Sequence, residues 1–279
     1  MNPEGQCPFA GLSRLLVATE RSEFSEGAVR EAIALARMCS SVLSVMTVVE
    51  TNPEYETIGA EFLRKEEEEA VQHLKTIKDR ASEAKVSCEV FLRSGTSPAQ
   101  LIVEEATQRK CDMIVVGRRG RKGLERVLLG SAASKVIGHS PCKVVVVPKA
   151  ARMLFRNILI ATDGSAHSEK ASAEAIEIAA RTTGGTLLAV SVVSSGNEKE
   201  KAEEHAAAVV SAAKKSGVEA EAVIAEGRPA DVIAETAAGR AVDLVVLGAY
   251  GRSGLKKLLM GSTTEKAIGL VGCATLIVK

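Results

Sequence analysis

The sequence predicts an α/β chain of two tandem domains, each a five-stranded parallel doubly wound sheet flanked by helices, and three observations carry that prediction. One glycine pattern is written twice, 131 residues apart: Gly117-Arg-Arg-Gly120, nine residues, Gly130-Ser131, and then Gly248-Ala-Tyr-Gly251, nine residues, Gly261-Ser262. Each copy closes an apolar run that follows an aspartate, Asp112-Met-Ile-Val-Val and Asp243-Leu-Val-Val-Leu. Throughout, apolar runs of strand length alternate with stretches of helical periodicity, the pattern of parallel strands joined by right-handed crossovers. The repeat divides the 279 residues into domains at 1–150 and 151–279, each large enough to bury roughly two thirds of its unfolded surface.

In the first domain residues 14–19 read as a strand, and residues 25–37 as a helix with Ala28, Ala32, Ile33 and Ala36 on one face. A strand at 42–49 leads to a long helix ending at Ala84, whose run Lys65-Glu-Glu-Glu-Glu-Ala70 reads as a solvated face. Residues 86–92 alternate as a strand, and Pro98 stands in the first turn of a helix reaching Arg109. The strand 113–116, the glycine loop, a helix over 131–138 and a last strand at 144–147 complete the order βαβαβαβαβ. The second domain repeats it with strands at 157–162, 186–193, 218–224, 244–247 and 275–278. Gly123 and Gly254, Leu124 and Leu255, Leu128 and Leu259, Lys135 and Lys266, and Pro98 and Pro229 recur in register. The first strands are offset by 143 rather than 131, so some twelve extra residues sit in the first domain, around a longer loop at Glu50-Thr-Asn-Pro-Glu-Tyr55. A linker as short as residues 149–154 predicts domains packed together.

Hydrophobic residues make up 46% of the chain and aromatics 3%, with no Trp, so the cores must be Val, Ile, Leu and Ala. Thirty-six basic against thirty-five acidic residues remove the charge footprint of a nucleic-acid binder. The start lacks a signal-peptide pattern and no apolar run approaches the ~18 residues of a membrane span, which predicts a soluble cytoplasmic protein away from membranes. Cys7, Cys39, Cys88, Cys111, Cys142 and Cys273 form no metal or redox motif and read as free, mostly buried thiols.

Glycines at a strand end permit positive φ and close approach of backbone to a ligand, and a Gly-Ser pair opening a helix offers N–H groups to an anion. Such loops also use glycine for purely steric reasons, but recurrence at equal spacing favours a site. In an open parallel sheet the ligand lies beyond the carboxyl ends of the strands where strand order reverses. There Asp163-Gly164-Ser165 should meet the loop from Gly248 to Ser262, a carboxylate facing a phosphate cradle, as a nucleotide requires. The first domain has Ala18-Thr-Glu20-Arg-Ser22 instead, an acid one methylene longer and an arginine in place of a permissive glycine, so its base-and-ribose end is altered or blocked. Arg118, Arg119, Arg121 and Lys122 beside its phosphate loop either bind an anion or are solvated.

Competing chemistry finds little support. His73, His139, His167 and His205 have no counterparts in the other half, no serine stands in a nucleophile elbow, and no lysine follows the glycines as in a Walker loop. Asp112 and Asp243 open their strands at the edge away from the ligand and read as structural. No catalytic or metal-binding residue is assigned.

On these residues, the two Gly-x-x-Gly, nine-residue, Gly-Ser motifs and Ala161-Thr-Asp163-Gly-Ser165, the chain resembles the universal stress protein family in its tandem form, over nearly its whole length. The resemblance implies a Rossmann-like fold in each domain and ATP, or AMP or ADP, as ligand, with magnesium as a companion ion. It implies that Asp163 and the backbone near Val192, with Ala161 and Ser165 beside them, hold adenine and ribose. Leu247, Gly248, Gly251, Gly261, Ser262 and Thr263 then surround the phosphates. The first domain's matching positions are Ala18, Glu20, Val48, Val116, Gly117, Gly120, Gly130, Ser131 and Ala132. The last strands are apolar edges that need cover, and the resemblance implies that they pair the two domains as a pseudo-dimer, with homodimers of chains beyond it. The function implied is a nucleotide-binding stress-response regulator or sensor. The alternatives are a slow ATPase or self-phosphorylating enzyme using Ser262 or Thr263, and a nucleotide-free interaction scaffold.

Overall fold

Runs such as Leu15-Leu16-Val17 and Ile158-Leu159-Ile160 are apolar at consecutive positions, and a strand of that kind must be covered on both faces. A computed structural model describes residues 6–51, 59–119, 129–193, 198–251 and 260–279. It resolves into two compact units, one of Leu12–Leu124 with Gly130–Lys149, the other chiefly Ala150–Lys279 and including residues 6–11.

In the first unit β1 (Arg14–Thr19), α1 (Glu26–Cys39), β2 (Val42–Glu50), α2 (Ala60–Glu83), β3 (Cys88–Gly95), α3 (Pro98–Gln108), β4 (Met113–Gly117), α4 (Ser131–His139) and β5 (Lys143–Val147) follow one another. Their strands lie in the order β3-β2-β1-β4-β5, all parallel. The second unit runs β6 (Asn157–Ala161), α5 (Ala166–Arg181), β7 (Thr186–Val193), α6 (Lys199–Lys215), β8 (Glu219–Glu226), α7 (Pro229–Gly239), β9 (Leu244–Gly248), α8 (Ser262–Leu270) and β10 (Ala274–Val278). Its strands lie in the parallel order β8-β7-β6-β9-β10. These are two tandem Rossmann-like α/β folds, and strand order reverses between β1 and β4 and between β6 and β9.

The central strands make the cores. Leu15, Leu16, Val17, Ile158, Leu159 and Ile160 are wholly inaccessible, and each such side chain contributes about 1.5–3 kcal/mol relative to exposure. The outer strands β3 and β8 are only partly covered. They carry charged rungs, where Arg109 pairs with Glu89 at 2.6 Å and Arg240 with Glu221 at 2.8 Å, which blunts an exposed edge. Among residues 6–11, Phe9 meets Phe155 edge-to-face at 5.7 Å between centroids.

Asp112 and Asp243 are structural, as predicted. Asp112 Oδ2 accepts the backbone N–H groups of Ser13 and Arg14 at 2.9 and 2.8 Å, and Asp243 Oδ2 those of Arg156 and Asn157, both at 3.0 Å. Each ties the entry of the first strand of its unit to the fourth.

Two expectations are corrected. Cys7 and Cys39 are not free thiols, because sulfur pairing depends on spatial approach and not on sequence spacing. Cys88, Cys111, Cys142 and Cys273 are free thiols; burial pushes Cys88 and Cys111 up to about 11 and Cys273 to about 12. The acidic run of α2 is not only a solvated face. Glu66 and Glu69 receive Arg21, and Glu67 receives the Ser94 hydroxyl at 3.0 Å, because α2 packs on β2 and β3 with polar side chains at their ends. The predicted long loop falls largely on residues 52–58, and Gly120, Arg121, Lys122, Gly123, Leu124, Leu128, Gly254, Leu255 and Leu259 also lie outside the described residues.

Candidate functional site

Two loops meet at the carboxyl ends of β6 and β9. After β6 the backbone turns through Gly164, whose φ of 73° belongs to the left-handed region that favours glycine. Asp163 Oδ1 accepts the Ser165 N–H at 3.0 Å, and Ser165 Oγ caps α5 by accepting the Ser168 N–H at 3.3 Å. The loop is thereby fixed with Asp163 Oδ2 facing Gly251, 2.9 Å from where a Cβ on that glycine would stand.

The glycines of the repeated motif have separate reasons, and positive φ is not among them: of Gly117, Gly248, Gly251 and Gly261, none lies in the left-handed region. That expectation is corrected in favour of close approach. A Cβ on Gly248 would come within 2.9 Å of the His167 backbone, and one on Gly117 within 2.9 Å of the Phe24 carbonyl, because the first turn or entry of α5 and α1 abuts the strand end. Gly251 makes room for Asp163. Gly261 differs, since among the described residues the atoms nearest a Cβ there would be Ala249 O, Tyr250 Cα and Gly251 N at 3.6 to 3.7 Å, an ordinary contact. Among the described residues, backbone excludes a side chain at 248, the Asp163 carboxylate crowds one at 251, and nothing within 3.6 Å opposes one at 261.

Gly261 is also the N-cap of α8, with φ −60° and ψ 138° and no side-chain cap. The amides of Ser262 and Thr263 in the first turn therefore have no intrahelical acceptor and, among the described residues, no side-chain cap, and the helix dipole adds a positive field in front of them. The loop is anchored by Gly261 N–H donating to Ala249 O and by Thr264 Oγ1 donating to Gly248 O, each at 3.0 Å. Ala161, Asp163, Ser165, Gly248, Gly251, Gly261, Ser262 and Thr263 are thus brought together. Val192 lies on β7 beside them, two residues past the Val190 that pairs with Ala161. Leu247 is buried with its side chain in the core, so only its backbone borders the site.

The first unit repeats the frame. Ala18 lies between Met46 and Val116, Val48 pairs with Arg93 on the outer side, and Gly117 ends β4. Gly130 caps α4 with φ −65° and ψ 142°, followed by Ser131 and Ala132 in the first turn. The other end differs. Glu20 accepts the Ser22 hydroxyl at 2.9 Å, and burial raises its pKa above the ordinary value while that bond lowers it. Arg21 occupies the position of Gly164 with φ 65°. Burial, then the neighbouring Arg119, depress the pKa of Arg118.

The sequence register missed four residues around these loops. The His73 ring lies 3.1 Å from Thr19 Oγ1, and the His205 ring fills the space over Gly164. The two rings stand over equivalent turns although they are one residue out of the 131 offset, which is why gapless comparison found no counterparts. His167 and Tyr250 stack at 5.2 Å with a 56° tilt; only the approach of α5 to β9 reveals that pair. Beside the Asp163 turn, Ala173, Ile176, Ala208, Val209 and Ala212 line an apolar cleft of about 560 Å³ between α5 and α6. None of the sequence-predicted site residues lines it.

Comparison with known proteins agrees with this fold. The family model described as the universal stress protein family matches residues 11–148 and 154–279. A universal stress protein of Methanocaldococcus jannaschii is 36% identical over 144 residues, 49% of this chain and 82% of that protein. One from Synechocystis sp. is 33% identical over 152 residues, 49% of this chain and 98% of that protein. The crystal structure of a universal stress protein from Archaeoglobus fulgidus superposes with a TM-score of 0.80 at 20% identity, covering 98% of each chain, a likeness of fold.

Proposed function

The chain belongs to the universal stress protein family, and from that premise we propose that its second unit binds an adenine nucleotide, ATP or its mono- or diphosphate, and that the chain acts as a stress-response regulator or sensor. One observation carries the reading: Gly261, whose Cβ position no described residue crowds, stands at a helix N-terminus without a side-chain cap, beside Gly251, which Asp163 faces. Such a terminus donates N–H groups to phosphate, and a side chain at 261 would enter that space. Asp163, held by Ser165, supplies the acceptor for ribose or base. Magnesium, when it accompanies the nucleotide, offsets phosphate charge.

The test is to denature freshly purified chain, identify the released nucleotide by chromatography and mass, and count it per chain, with magnesium and with chelator. Bound ATP that survives long incubation supports a binding module. Time-dependent ADP release, lost in Asp163→Ala, moves the reading to a slow ATPase or self-phosphorylating enzyme acting at Ser262 or Thr263. No nucleotide, before or after adding ATP, leaves the scaffold. Cytoplasmic location, pairing of the two domains as a pseudo-dimer and dimerisation of chains belong to the same proposal, the last read directly by light scattering.

A further inference from the structure

The turn after the first strand places a left-handed residue at the same position in both units, a glycine in one and an arginine in the other. Gly164 holds φ 73° without a steric penalty, whereas Arg21 holds φ 65° with a full side chain. A strained residue persists when its surroundings over-determine it, and those of Arg21 do. Its Nη1 donates to the Glu66 carbonyl at 2.8 Å and to the Glu69 carboxylate at 3.4 Å, Nη2 meets the Glu66 carboxylate, and the side chain is only 8% exposed. Over Gly164 the corresponding space holds the His205 ring, which comes from α6 and is not part of the turn. The acids follow suit. Asp163 turns Oδ2 toward the glycine loop, while Glu20 is turned onto the Ser22 hydroxyl at 2.9 Å. A carboxylate that accepts from ribose or base does so more strongly with its charge, and burial favours the neutral form of Glu20.

We infer that Arg21, bolted to α2 through Glu66, locks the first unit as a non-binding copy, so that the chain takes one nucleotide and the pair Glu20–Arg21 sets that selectivity. This rests on the nucleotide reading of the second unit. The experiment is calorimetric titration of the full chain with ATP and magnesium, comparing wild type with the double variant Glu20→Asp/Arg21→Gly. Wild type should take one equivalent and the variant two, and adding Gly130→Val to the variant should remove the gained one. The wild-type count reads the proposed function, which zero would sink. The difference between variant and wild type reads the lock, and no gain, or two equivalents already in wild type, overturns it. Should the double variant lose cooperative unfolding, Glu66→Ala/Glu69→Ala removes both carboxylates from Arg21 and leaves it only the Glu66 carbonyl, with the turn residues unchanged. It is then expected to add an equivalent at least tenfold weaker than the first, and no added equivalent overturns the lock.

Discussion

Asp163 and Gly251 face each other so closely that a methyl group on Gly251 would begin 2.9 Å from Asp163 Oδ2. The two loops that end β6 and β9 are therefore matched to each other, an acid on one and the absence of a side chain on the other. Gly251→Ala should force the carboxylate aside, lowering stability by about 1–3 kcal/mol. Asp163→Ala should relieve that loss, giving a coupling of at least about 0.5 kcal/mol in a urea-denaturation double-mutant cycle. Additive losses would mean that the two do not touch.

Gly261→Ala separates packing from binding. Among the described residues the added carbon meets ordinary contacts at φ −60°, so stability should stay within about 1 kcal/mol of wild type. Nucleotide affinity should fall at least tenfold, about 1.4 kcal/mol, and Gly261→Val should abolish binding while unfolding stays cooperative. Calorimetry that finds unchanged affinity in both variants would remove Gly261 from the site.

Asp243→Ala should do the reverse. It strands the N–H groups of Arg156 and Asn157, and stranded donors at a part-buried strand entry lower stability by about 2–4 kcal/mol together. Nucleotide stoichiometry should not change. Asp112→Ala, whose partners Ser13 and Arg14 are more exposed, should lose less, and an equal or larger loss there would contradict this account of the two acids.

The pH dependence has two opposing parts. Burial, then Arg21, lower the pKa of His73 below its ordinary 6.5, so the unfolded chain binds the proton first and stability drops as pH falls through and below that value. Burial raises the pKa of Glu20 above 4.5, so the native chain holds that proton longer, and stability fully present below 4.5 is lost as pH rises through the raised value. The urea midpoint should fall between pH 7.5 and 5.5 through His73, and His73→Gln should flatten that fall. Glu20→Gln should raise the midpoint at pH 7.5. A steeper fall in His73→Gln would reverse the sign assigned to the imidazole.

Strands that bury both faces announce themselves in hydropathy, and β7 runs over Thr186–Val193 as its apolar run predicts. The outer strand β3 was legible only in part. It starts at Cys88 and continues to Gly95 because its ladder with β2 extends to Glu50↔Gly95, and backbone pairing of that kind leaves no hydrophobic trace. The site was legible where a residue type is forced by local geometry, as at Gly164, and where a repeat made the spacing visible, as at Gly248 and Gly261. His205, Tyr250 and Glu66 were not, because each acts on a loop remote in sequence and no local pattern records which loop that is.

By itself, the sequence determined two parallel doubly wound folds, their duplicated glycine loops and the divergence of Glu20-Arg21 from Asp163-Gly164, since periodicity, repetition and side-chain identity are properties of the chain read in one dimension. Only the tertiary structure decided why each glycine is there. Gly248 yields to the backbone of α5, Gly251 to a carboxylate, and Gly261 to neither. The reason is physical: the space beside an α-carbon is defined by atoms brought from elsewhere in the chain, and the same residue type answers to different neighbours at each position.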